Sequence, residues 1–169
     1  GIPIVGLEPS CILTLRDEFL DLLPGEPRAE TVADAAYTFE EYVSERAEAG
    51  AFADVAWTNG SGNVLVHGHC HQKALIGTDA TERVLSLPGY RVEAVDAGCC
   101  GMAGAFGYEA EHVDVSKQMA ELRLAPAVRA ADADTTIAAT GFSCRSQIKD
   151  VTERRAQHPA EVLWGALDE

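Results

Sequence analysis

Asn63-Val64-Leu65-Val66-His67 runs directly into Gly68-His69-Cys70-His71. The first five residues are a short, largely β-branched and apolar run that stops at glycine, which reads as a strand. A cysteine follows at once. The same arrangement recurs three times: Ile2 to Leu7 precedes Glu8-Pro9-Ser10-Cys11, Tyr90 to Val95 precedes Gly98-Cys99-Cys100-Gly101, and Thr135 to Ala139 precedes Gly141-Phe142-Ser143-Cys144. Helical patterns lie between these runs, so the expected fold is α/β, a mostly parallel sheet of about four strands flanked by helices. In a parallel sheet the carboxyl ends of the strands share one edge, where α/β proteins build their sites. The pattern therefore predicts that Cys11, Cys70, Cys99, Cys100 and Cys144 converge there.

The helices are read from spacing. Thr31 and Asp34 form a capping-box-like start. Val32, Ala36, Phe39, Val43 and Ala47 then recur at helical intervals, with Glu40, Glu41, Glu45 and Glu48 facing water. A second helix is expected over about Lys73 to Leu85. A third begins near Glu109, with Val115, Met119 and Leu122 on one face and Pro126 kinking or splitting it. A last short one covers Ala160 to Leu167. Leu23 to Glu30 reads as a loop, and Ala56 to Gly62 as a tight turn or hairpin. The 169 residues suffice for one domain with a real core, 1–169. The start at Gly1, without an initiator Met, reads as a fragment or processed piece of something longer.

The balance of 27 acids against 13 bases, net −14, repels nucleic acid and anionic lipid. Acid-rich, Lys-poor composition also resembles proteins from salt-loving organisms. No apolar run approaches the roughly 20 residues a membrane span needs. Five cysteines, an odd number, in a chain without a signal peptide argue against a secreted disulfide scaffold and for metal or redox chemistry.

Iron in iron–sulfur clusters takes soft thiolate ligands. Cys11 and Cys144 fall near predicted helix starts, where the dipole and free N–H groups favour thiolate. The loop after the third strand carries glycine at every third position, Gly98, Gly101, Gly104 and Gly107. Glycine lets backbone N–H groups approach sulfur closely. Other readings stand beside this one: a plain turn, buried structural thiols, or a strained Cys99–Cys100 disulfide acting as a redox switch. His67, His69 and His71 share one face of an extended chain; a zinc site from His69, His71 and cysteines is conceivable, while residues supporting the ligands or the core are the commoner role. His112 and His158 read as surface or helix residues.

Glu8-Pro-Ser-Cys11, His67-Gly-His-Cys-His-Gln-Lys73, Gly98-Cys-Cys-Gly-Met-Ala-Gly-Ala-Phe-Gly-Tyr-Glu109 and Thr140-Gly-Phe-Ser-Cys-Arg145 together resemble the cysteine-rich CCG domain. That domain occurs in a subunit of heterodisulfide reductase, in the iron–sulfur subunits of glycolate oxidase and anaerobic glycerol-3-phosphate dehydrogenase, and in FAD-linked oxidases related to D-lactate and D-2-hydroxyglutarate dehydrogenases. The resemblance runs from about Pro3 to Glu161, and Gly107 to Arg129 is most like the oxidase fusions. It implies a 4Fe-4S-type cluster held by Cys70, Cys99, Cys100 and Cys144, with Gly98, Gly101 and Gly104 packing close and His69 and His71 tuning it. Gly141 departs from the pattern, standing where a first cysteine of Cys-x-x-Cys would be; Cys11 is the candidate replacement, and cubane and non-cubane clusters both remain open. The implied function is electron transfer beside a flavin-linked 2-hydroxy-acid or glycerol-3-phosphate dehydrogenase. FAD would lie in a partner domain or subunit, and a quinone or soluble carrier would accept the electrons. The implied location is cytoplasmic, or at the inner face of the membrane through partners. A heterodisulfide-reductase-like catalytic role and a zinc or thiol-redox module are the alternatives.

Overall fold

The computed structural model describes residues 1–57 and 60–167. The turn expected over Ala56 to Gly62 lies partly outside them. In chain order the elements are β1 (Ile4–Gly6), α1 (Pro9–Ile12), α2 (Glu18–Leu22), α3 (Pro27–Ala35), β2 (Ala36–Thr38), α4 (Phe39–Glu48), β3 (Asn63–His67), α5 (Cys70–Leu75), α6 (Asp79–Ser86), β4 (Arg91–Ala94), α7 (Val113–Glu121), α8 (Leu124–Ala130), β5 (Thr136–Ala139), α9 (Phe142–Thr152), β6 (Ala156–Gln157) and α10 (Pro159–Trp164). The main sheet is parallel throughout, in the order β4-β3-β5-β6.

Strand alternation sorts the core into two layers. Val64 and Val66 of β3 and Ala138 of β5 pack with Leu85 and Val162, on the side of α6 and α10. Leu65, Ile137 and Ala139 point the other way, toward Leu124, Val128 and Ile148 of α8 and α9. Burying each large aliphatic side chain contributes about 1.5–3 kcal/mol. Cys100, Met102 and Cys144 belong to this second layer, so the candidate site grows out of the core rather than lying on the surface.

Several expectations are corrected. The first predicted strand is not in the main sheet: β1 pairs with β2 in a separate two-stranded parallel sheet. The helix read through Ala36 is interrupted there by β2, and Thr31 lies inside α3, which starts within the predicted loop at Pro27 with Glu26 as its cap. The real capping box is Thr38 with Glu41, opening α4. The predicted second helix breaks after Leu75, and Gly77 between α5 and α6 has φ +76°. Val115 and Leu122 are exposed, whereas Ser116 and Ala120 form the buried face of α7. Glu40, read as facing water, is 1% exposed, and His158, read as a surface or helix residue, is buried as the cap of α10.

Candidate metal centre

Cys70 opens α5, Cys99 and Cys100 follow β4, and Cys144 lies in the first turn of α9. Because β3 is flanked by β4 and β5, these three segments meet at one sheet edge. Their thiols perturb one another in sequence, as a row: Cys70 with Cys99, Cys99 with Cys100, and Cys100 with Cys144. The Gly101 N–H donates to Cys99 Sγ at 3.3 Å. Cys11 is exposed on α1, the helix packed against α5.

The row resists ionisation. Sharing a proton with Cys144 pushes Cys100 up to about 12. Cys99 is raised further, first by its bond to Cys100 and then by burial, and Cys70 is raised by burial and by the Cys99 charge. Four adjacent sulfurs cannot all be anions unless a cation sits among them. Soft donors in contact, with a backbone N–H aimed at sulfur, fit a metal or iron–sulfur group chemically.

Side chains from the neighbouring helices hold the cysteine loops. Lys73 Nζ donates to the carbonyls of Ala97 and of Gly98 (3.0 Å), just before Cys99. Arg145 Nη1 donates to the Ala139 and Thr140 carbonyls at 3.0 and 2.8 Å, just before Cys144. Gln147 Nε2 donates to Cys100 O (3.0 Å), Ser116 O (3.0 Å) and Ser116 Oγ (2.9 Å). Thr140 Oγ1 donates to Gln72 Oε1 and accepts from the His69 N–H, while Gln72 Nε2 donates to Thr81. Glu8 Oε2 accepts the N–H of Phe142 at 2.7 Å, tying the small sheet to the start of α9. Sequence reading missed Glu8, Gln72, Lys73, Thr140, Arg145 and Gln147 as supports, although all but Gln147 lie in the quoted motifs.

The glycines differ in their reasons. Gly101 has φ +99°, and a Cβ there would sit 2.1 Å from Ser116 O. Gly104 needs its positive φ of 67° but has open space around it, and a Cβ at Gly98 would meet nothing; close packing does not explain either. Gly107 packs on Met102 and Ser116 instead.

The histidines divide. His69 caps α5: its Nδ1 accepts the His71 N–H at 3.2 Å, and its Nε2 lies 3.9 Å from Glu8 Oε1. Burial lowers its pKa. His71 turns away from the row, toward Glu18 Oε1 at 3.8 Å and Asp17. The zinc arrangement of His69 and His71 with cysteines is therefore not assembled among the described residues. His67 is 1% exposed at the end of β3, and neither ring nitrogen has a partner among the described residues.

The domain is α/β, and four of its cysteines fall just after strands of its parallel sheet. Its relatives sharpen that class. The chain is 32% identical to D-2-hydroxyglutarate dehydrogenase of Pseudomonas putida and 34% identical to that of Escherichia coli, in each case over 96% of this chain and 15% of the relative. It is 25% identical to a subunit of the anaerobic glycerol-3-phosphate dehydrogenase of Escherichia coli, over 99% of this chain and 41% of that one. These relatives fit the resemblance to the cysteine-rich CCG domain carried by the motifs, and the chain spans 15% of the length of the dehydrogenases it matches first. No protein-family model and no solved structure matches it. Among the described residues, no helix is long and apolar enough to cross a membrane.

Proposed function

We propose that this chain is an iron–sulfur electron-transfer domain of an FAD-linked dehydrogenase acting on a 2-hydroxy acid or on glycerol 3-phosphate. The observation that carries the reading is the contiguous row Cys70, Cys99, Cys100 and Cys144, a complete thiolate set for a 4Fe-4S-type cluster. Cys11, exposed on the packed α1, is the fifth candidate thiolate. The names of the relatives supply the substrate classes. When bound, the cluster supplies a one-electron relay. The chain's own part is to hold four sulfurs in place, to aim the Gly101 N–H at Cys99, and to anchor the loops through Lys73, Arg145 and Gln147. The FAD and the substrate site belong to a partner domain or subunit, with a quinone or soluble carrier as acceptor.

The test is anaerobic reconstitution, followed by iron and acid-labile sulfide analysis of the protein and its variants. Cys99→Ser and Cys100→Ser lose most of the iron, because serine oxygen is a harder and far less acidic ligand than thiolate. His112→Ala keeps it, and Cys11→Ser keeps more than either. Full iron in both Cys99→Ser and Cys100→Ser sinks the assignment and moves a disulfide switch ahead of it.

A further inference from the structure

His67 is the least explained polar group near the site. It ends the central strand β3, between the strands that lead into Cys99-Cys100 and Cys144. By alternation it shares a strand face with Leu65, and it sits opposite Ala139 in the register. Leu65 and Ala139 both belong to the core layer that contains Cys100 and Cys144. The ring is 1% exposed, and both nitrogens lack partners among the described residues. A buried polar group without a partner costs about 1–3 kcal/mol, so one retained at a site needs a reason. The nearby Lys73 and His69 carry donors rather than a matching acceptor for it: Lys73 Nζ is engaged by the Ala97 and Gly98 carbonyls, and His69 Nδ1 accepts from His71.

Resting on the cluster reading above, the geometry points to a specific role: the neutral imidazole of His67 is the inner-wall N–H donor to a sulfur of the bound cluster. Its partner is missing because it belongs to the group that fills the row. A hydrogen bond to cluster sulfur favours the reduced, more negative state and raises the potential.

The experiment compares wild type with His67→Leu and His67→Gln, each reconstituted anaerobically, and also measures the metal-free forms. His67→Leu is expected to leave the metal-free protein equally or more stable to urea, since it removes an unpartnered polar group. It should also lower the reduction equilibrium constant of the cluster about tenfold, about 59 mV for one electron. His67→Gln, which keeps an N–H, recovers part of that shift. Pulsed EPR of protein labelled with ¹⁵N-histidine shows a weak coupling that disappears in His67→Leu. An unchanged potential and coupling in His67→Leu overturns the proposal, as does a less stable metal-free His67→Leu. A strong coupling of directly bound nitrogen overturns the donor role in favour of ligation. If wild type itself takes up no cluster, the parent reading fails and this one falls with it.

Discussion

Glu40 offers the sharpest quantitative test of the packing. It lies in the first turn of α4, is 1% exposed, and neither carboxyl oxygen has a hydrogen-bond partner among the described residues. His158 Nε2 is 3.6 Å from its Oε1, but that imidazole is held neutral by geometry. Its Nε2 is 2.9 Å from the Leu7 carbonyl, to which it donates, and its Nδ1 accepts the Ala160 N–H. Glu41 and Arg145 are the charged groups that act on Glu40, in opposite senses. Burial dominates and pushes the Glu40 carboxyl from 4.5 to about 7. A raised carboxyl makes folding weaker as pH rises: below 4.5 both states are protonated, and above about 7 the folded state has had to ionise a buried group. Each pH unit between the two titrations is worth about 1.4 kcal/mol. Between about pH 5 and about pH 8, wild type should therefore lose about 2.5 kcal/mol relative to Glu40→Gln. Urea unfolding of both proteins at the two pH values measures this. A Glu40→Gln difference that stays flat across the window would refute the reasoning.

Two further outcomes are expected. Gly101→Val should lose iron as fully as Cys99→Ser although it removes no ligand, because its Cβ meets Ser116 O at 2.1 Å and φ is +99°; retention of iron after reconstitution would refute it. Gly141→Cys restores the family's extra cysteine on a permissive backbone (φ −82°), yet its Cβ would lie 2.4 Å from His69 Cδ2. It should destabilise the metal-free protein by about 1–3 kcal/mol, with His69→Ala relieving the loss; an unchanged urea midpoint in the single variant would count against this.

The fold was legible where physics is local and repetitive. β3, β4 and β5 are apolar or β-branched runs that end in glycine-bearing cysteine loops, and their parallel pairing follows from the helices between them. β2 was hidden because Ala36-Tyr37-Thr38 lies within apolar spacing that also suits a helix. The Thr-x-x-Glu signature at Thr38 and Glu41 was present in the sequence and marks the true start of α4. β6 is two residues long and is formed by docking against β5, which no local pattern announces. Glu40 was assigned to water with its acidic neighbours, because periodicity cannot see β1 packing on α4 or His158 lying beside its first turn. The histidines show the same limit. Alternation groups His67, His69 and His71 only while the chain stays extended, but β3 ends at His67 and α5 begins at Cys70. The three rings therefore part: one into the core, one onto a helix cap and one toward exposed acids.

The support around the thiols bears on how the site would fill. Each loop carbonyl gripped by Lys73, Arg145 or Gln147 is fixed by interactions wholly within the chain. Those interactions do not depend on a bound group, so the backbone of each cysteine loop is held from within the chain. The crowding of the sulfurs holds their protons, with Cys100 up at about 12. Filling the row must then release protons, and metal uptake should strengthen as pH rises. In a chain of net −14, Lys73 and Arg145 are cations committed to the backbone directly behind the thiols. They offset part of the negative charge that four thiolates bring, which a neutral clasp of the same shape would not do. Anchored loops and two cations committed behind the thiols are the features that support the proposed cluster site.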